Sequence, residues 1–116
     1  MIKGSGMSWR TRYLANRLSK KYGELGRVAS KYVLAGHSVQ LRGDHILVKG
    51  KGFNAVITLA KNRKEIRDNA RRAKDIASKL GPNYRPVLVI YGSYRIPREA
   101  LEEIRGEGVL VKRFKP

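Results

Sequence analysis

Residues 38–60, SVQLRGDHILVKGKGFNAVITLA, and residues 62–91, NRKEIRDNARRAKDIASKLGPNYRPVLVIY, decide the fold of this chain. The first stretch holds three short β segments separated by turn residues. Ser38 to Arg42 alternates polar and apolar side chains, the period-2 mark of a half-buried strand. Gly43-Asp44 turns the chain. His45 to Lys49 is a second strand, with Ile46 and Val48 on one face. Lys49-Gly50-Lys51-Gly52 supplies a hairpin loop. Phe53 to Ala60 is a third strand, too apolar for an exposed edge and so central. In the second stretch Asn62 and Glu65 form a capping-box pattern. Ile66, Ala70, Ala73, Ala77 and Leu80 then make a buried stripe on a helix over 63–80. Gly81-Pro82 ends that helix. Pro86 to Tyr91 is a continuous apolar run, hence a buried strand.

The flanks extend this pattern. Met7 to Tyr22 reads as a helix with Ser8 as its N-cap, and Gly23 stops it. Trp9, Tyr13, Leu14, Leu18 and Tyr22 cluster on one side, the expected core-facing side. Residues 24–36 fit a short helix through Leu25, Val28, Ala29, Tyr32 and Val33, or a strand through Val28, Ser30, Tyr32 and Leu34. The helix is the preferred reading. Pro97 to Arg105 is a short helix, and Gly108 to Phe114 a last strand. The predicted order is α(α)βββαβαβ: a mixed α+β domain with one sheet of about five strands and helices packed on it. The expected organisation is a flexible segment over 1–6 and a single domain over 7–116.

Composition points to the partner. Twenty-six Lys and Arg face nine Asp and Glu, a net charge of +17 in 116 residues. Self-repulsion at that level opposes compaction, and a polyanion relieves it by releasing its condensed counterions. Nucleic acid, DNA or RNA, is the expected partner, and charge alone does not separate the two. The charge concentrates early. Residues 1–60 carry eleven basic and two acidic residues, residues 61–96 ten and three, and residues 97–116 five and four. No Cys is present, which excludes disulfides and thiolate metal sites. No apolar run approaches the roughly 20 residues of a membrane span. A cytoplasmic setting without a membrane partner is therefore expected, and a homodimer is compatible with the sequence. One Gln, two Met and 30% charged residues match the bias of thermophilic proteins.

The order αβββαβ with a polar turn before the second strand resembles the PD-(D/E)XK nuclease core shared by Holliday-junction resolvases and restriction endonucleases. The likeness spans about residues 7–91. It implies that Asp44 stands at the metal-binding Asp position, with Glu-x-Lys about a dozen residues on. Ile57-Thr58-Leu59 occupies that place, and Lys61 falls two residues late. Metal-assisted hydrolysis needs carboxylates converging on Mg²⁺, so the resemblance implies a degenerate nuclease without catalytic residues, metal or cofactor. The alternatives are a divergent nuclease using Asp44 and a ribosome-associated or other structural RNA-binding protein. In size, charge and element mixture the chain also resembles ThermoDBP-type single-stranded-DNA-binding proteins.

Several features are candidates for contact with nucleic acid. Arg10, Arg12, Arg17, Lys20 and Lys21 precede any acidic residue on the first helix, whereas surfaces shaped only for solubility mix both signs. Arg63, Arg67, Arg71 and Lys74 form a stripe on the long helix. Asp68 and Asp75 sit at ion-pair spacing from Arg72 and Lys79. Lys49 and Lys51 cap the hairpin, and Lys3-Gly4-Ser5-Gly6 precedes a helix. Aromatic side chains adjoin basic ones at Arg12-Tyr13, Lys21-Tyr22, Lys31-Tyr32, Tyr84-Arg85 and Tyr94-Arg95, a pattern suited to stacking bases beside phosphate contacts. Tyr84, Tyr91 and Tyr94 border loops and are the expected stacking rings, while Tyr13 and Tyr22 belong to the helix core. His37 and His45 lack a metal-ligating neighbourhood and read as structural or exposed.

Overall fold

The computed structural model describes residues 9–115. Its elements are α1 (Trp9–Leu34), β1 (Ser38–Arg42), β2 (His45–Gly50), β3 (Phe53–Ala60), α2 (Ile66–Leu80), β4 (Tyr84–Tyr91), α3 (Arg98–Gly106) and β5 (Leu110–Phe114). The strands form one sheet in the order β1-β2-β3-β4-β5. β1, β2 and β3 pair antiparallel, as hairpin-linked strands must. β3, β4 and β5 pair parallel, because α2 and α3 carry the chain back between them. This is the mixed sheet expected from the sequence, with β3 at its centre.

Strand alternation sorts the core into two layers. Ile57 and Leu59 of β3, with Val87, Val89 and Tyr91 of β4, share a cluster with Val28 and Ala29 of α1. Ala60, Leu88 and Ile90 pack instead against Ile66 and Ala70 of α2 and Ile104 of α3. Leu47 and Val56 meet Ala77 farther along α2. The sheet therefore lies between α1 on one face and α2 with α3 on the other. Each fully buried Val, Leu or Ile contributes about 1.5–3 kcal/mol, so the two sheet faces hold the fold together.

The start of α2 follows the predicted cap with one shift. Asn62 Oδ1 accepts from the Lys64 N–H at 3.0 Å, while Glu65 Oε1 accepts from the Lys61 N–H at 2.8 Å, one residue before the expected position. A 3₁₀ turn over Arg63–Glu65 leads into the helix. Asn69 then ties α2 to the end of β3. It accepts from the buried Thr58 hydroxyl through its carbonyl and donates from its side chain to the Leu59 carbonyl, both at 2.7 Å.

Residues 24–34 are helical, and they continue the first helix across a kink at Gly23 (φ 60, ψ −137). That backbone region is open essentially to glycine alone. Beyond the kink the helix backbone comes against the preceding segment, and a methyl group on Gly26 would collide with the Leu18 carbonyl. The Ser19 hydroxyl donates to Ser30 Oγ at 3.1 Å, and Ser30 donates to the Arg27 carbonyl at 2.8 Å.

This junction sets the rotation of the first half of α1, and it corrects the expected core face. Ala15 is buried and Leu18 and Ser19 are half-buried. Trp9 is 77% exposed, Tyr13 55%, and Leu14 and Tyr22 are also exposed. At about 100° per residue, Trp9 and Tyr13 lie on the side away from Ala15, Leu18 and Ser19. The N-cap at Ser8, the segment over 1–6 and the Lys3–Gly6 stretch lie outside the described residues. No helix among those described is long and apolar enough to cross a membrane.

Candidate nucleic-acid interface

Arg10, Arg12, Arg17, Lys20 and Lys21 are all exposed on the first half of α1. The acid–base pairs among the described residues join Asp44 to His45 and Arg72, Arg67 to Glu103, and Arg98 to Glu102. None reaches these five cations. Lys21 stands over its neighbour's ring, with Nζ 5.6 Å from the Tyr22 centroid, a cation–π contact.

The cations along α2 are more engaged. Arg63 Nε donates to the Arg95 carbonyl at 2.8 Å, and Arg67 pairs with Glu103 at 3.3 Å. Arg71 and Lys74 are exposed. The aromatic side chains near the loops are tied into the fold. The Tyr94 hydroxyl donates to the Ala60 carbonyl at 2.7 Å, and burial pushes its pKa up. Arg113 donates to the Gly92 and Tyr94 carbonyls at 2.8 and 3.0 Å, fixing the same loop. Tyr91 is buried and stacks on Phe114 at 5.3 Å. Tyr84 is half-buried against Leu47, Val56 and Ala77. An open depression of about 470 Å³ brings Tyr94 together with Lys61, Arg63 and Lys64.

The structure thus divides the expected contact residues into three groups. The α1 cations and the α2 cations lie on opposite faces of the sheet. Pairing of Asn54 with Tyr84 sets Lys49, Lys51, Tyr84 and Arg85 near the start of β3 and β4. Arg63, Tyr94 and Arg95 stand by the other end, about 20 Å away along β3 at 3.3 Å per residue. Lys74 shares a groove with Tyr84 and so joins the Lys49 end.

Sequence reading missed a cleft of about 540 Å³ at the carboxyl end of β3. Glu24, Asp44, Glu65 and Asp68 line it, four of the nine acidic residues of the chain, with Lys61, Lys64 and Arg72 between them. Arg72 does not pair with Asp68 as helix spacing predicts; it reaches Asp44 in the β1–β2 turn. His45 Nδ1 lies 2.9 Å from the other Asp44 oxygen. The His45 hydrogen bond, with Arg72 adding to it, holds the Asp44 carboxyl below its usual pKa.

The β2–β3 register places Asp44 in this cleft. Ile46 pairs with Ile57, so Asp44, two residues earlier, stands level with Leu59. The tripeptide beside Asp44 is therefore Leu59-Ala60-Lys61, and Ile57 is fully buried. The residues level with Asp44 thus lie two positions later in β3 than the expected Ile57-Thr58-Leu59. Counting outward from the Gly50–Phe53 pair beside the two-residue loop would have found it. A Mg²⁺ centre needs several oxygen ligands. Leu59 offers none, Asp44 is held by Arg72 and His45, and among the described residues no three His, Asp or Glu side chains are grouped to hold a metal ion. The residues of this cleft do not fit a metal centre.

No protein-family model matches the chain, and no curated protein matches it in sequence. One similar solved structure is that of EndoMS in apo form, with 18% sequence identity and a TM-score of 0.50. The match covers 70% of this chain and 39% of EndoMS, so the chain spans well under half the length of that neighbour. At this identity the likeness is one of fold.

Proposed function

We propose that this protein binds nucleic acid, DNA ahead of RNA, mainly through phosphate contacts with little sequence preference, and does not cleave it. The observation that carries this reading is the first half of α1. Five exposed cations stand there without an ion-pair partner among the described residues, in a chain of net charge +17. Cations spaced along an exposed helix hold counterion-bearing phosphates without reading bases. A nuclease-like fold whose Asp44 is paired to Arg72 and faces Leu59 suits binding better than metal-assisted hydrolysis. The test is parallel titration of single-stranded DNA, duplex DNA and RNA over a range of salt. Affinity is expected to fall steeply with salt for the preferred ligand. A flat salt response, or no binding to any of the three, refutes the proposal.

A further inference from the structure

The outer face of α1 carries more than charge. At about 100° per residue, Trp9, Tyr13, Arg17 and Lys20 fall within a sector of about 80°. Arg10 and Arg12 flank that sector. Trp9 and Tyr13 are the most exposed large apolar side chains among the described residues. Four residues apart, they stand one helical turn from each other on the solvent side.

Two neighbouring exposed rings give this face an apolar patch of the kind that marks an interaction surface. Another copy of the same helix fits poorly, because each copy brings five unpaired cations and the two sets repel. A neutral apolar partner would leave the same cations beside its surface. A ligand with negative charges and flat π faces, repeated along its length, satisfies both. Unpaired bases of a nucleic acid have that chemistry, whereas in a duplex the base faces are already stacked.

We infer that the outer face of α1 is a stacking platform for unpaired bases, with Trp9 and Tyr13 as the stacking rings and Arg12, Arg17 and Lys20 as their phosphate contacts. This rests on the nucleic-acid reading and adds to it a preference for single strands and two named rings.

Trp9 is the only tryptophan in the chain, so its emission reports on this face alone. The experiment titrates the full chain with oligo(dT), a duplex of equal length and heparin, following Trp9 emission and fluorescence anisotropy of labelled ligand. Oligo(dT) is expected to quench Trp9 and the other two to leave it unchanged. Trp9→Ala and Tyr13→Ala should each weaken oligo(dT) binding about ten-fold while sparing duplex binding, and Trp9→Phe should restore most of the loss. Both positions are exposed, so circular dichroism should be unchanged. Oligo(dT) binding by anisotropy with unaltered Trp9 emission and full affinity in Trp9→Ala overturns the platform and leaves the nucleic-acid reading standing. Equal quenching by heparin, or a ligand-free dimer abolished by Trp9→Ala, also overturns it. No binding to any oligonucleotide removes both.

Discussion

Two pairs of arginines allow charge placement to be separated from total charge. Arg12 and Arg17 lie on α1 without ion-pair partners among the described residues, whereas Arg67 and Arg98 hold Glu103 and Glu102 at 3.3 and 3.4 Å. Arg12→Ala/Arg17→Ala and Arg67→Ala/Arg98→Ala each remove two positive charges. Each phosphate contact contributes about 0.7–0.9 to the slope of log affinity against log salt. Losing both α1 arginines should therefore flatten the slope by about 1.4–1.8. Between 50 and 200 mM salt, that shrinks the loss of affinity by roughly nine-fold. The second pair is already screened by its own carboxylates and should leave the slope within about 0.3 of wild type. Anisotropy of a labelled oligonucleotide at four or five salt concentrations measures both slopes. Stability should not confuse the result, because Ala is a better helix former than Arg and all four positions are exposed. Equal flattening in the two variants would mean that bulk charge, not the α1 surface, holds the ligand.

Other expectations concern the scaffold and the cleft. Gly26→Ala forces a methyl group onto the Leu18 backbone and should cost about 1–3 kcal/mol, read as a lowered denaturation midpoint; an unchanged midpoint would show that the halves of α1 do not pack this way. Asp44→Asn should cost under about 1 kcal/mol at neutral pH, since both partners of the Arg72 pair are about half exposed. The folded Asp44 carboxyl titrates below its unfolded value, so its contribution is complete at neutral pH and fades as pH falls through that lowered value, below about 4; wild type and Asp44→Asn should converge in stability there, and a gap that widens in acid contradicts the sign. With Mg²⁺ or Mn²⁺ no nicking of plasmid or junction DNA is expected, and cleavage that disappears in Asp44→Asn would restore a nuclease reading.

Local periodicity made most of the fold legible. The alternation in Ser38–Arg42, the apolar run of Phe53–Ala60 and the Ala stripe of α2 report burial directly, because each side chain's neighbours are fixed by its own element. The first half of α1 was not legible in the same way. Trp9, Tyr13, Leu18 and Tyr22 look like a core stripe from spacing alone, and nothing local says which side turns inward. The contact between Gly26 and Leu18 decides it, and that contact depends on the unusual conformation of Gly23. Arg72 shows the same limit. The i,i+4 rule offers it Asp68, yet the β1–β2 turn presents Asp44 from a different part of the chain.

The exposure of the α1 cations was legible in the sequence, and the exposure of Trp9 and Tyr13 was not. The net charge of +17 acts locally, since ions screen beyond about 8 Å at physiological salt. What matters is where the acidic residues sit. With four of nine lining the cleft beside Asp44, the cleft is nearly charge-balanced despite being the largest concavity described. The first half of α1 holds five cations between Arg10 and Lys21, about 17 Å of helix at 1.5 Å per residue. A stacked strand places a phosphate about every 3.4 Å, so that length faces about five phosphates. Even with all five in contact, 0.7 per single-strand phosphate gives a slope no steeper than about −3.5 from this helix. A measured slope steeper than about −5 would require a second surface in the same complex. The depression that joins Tyr94 to Lys61, Arg63 and Lys64 is a candidate for that second surface, since it brings three cations and a ring together. In that case Lys64→Ala should flatten the slope by a further 0.7 or so, independently of Arg12 and Arg17.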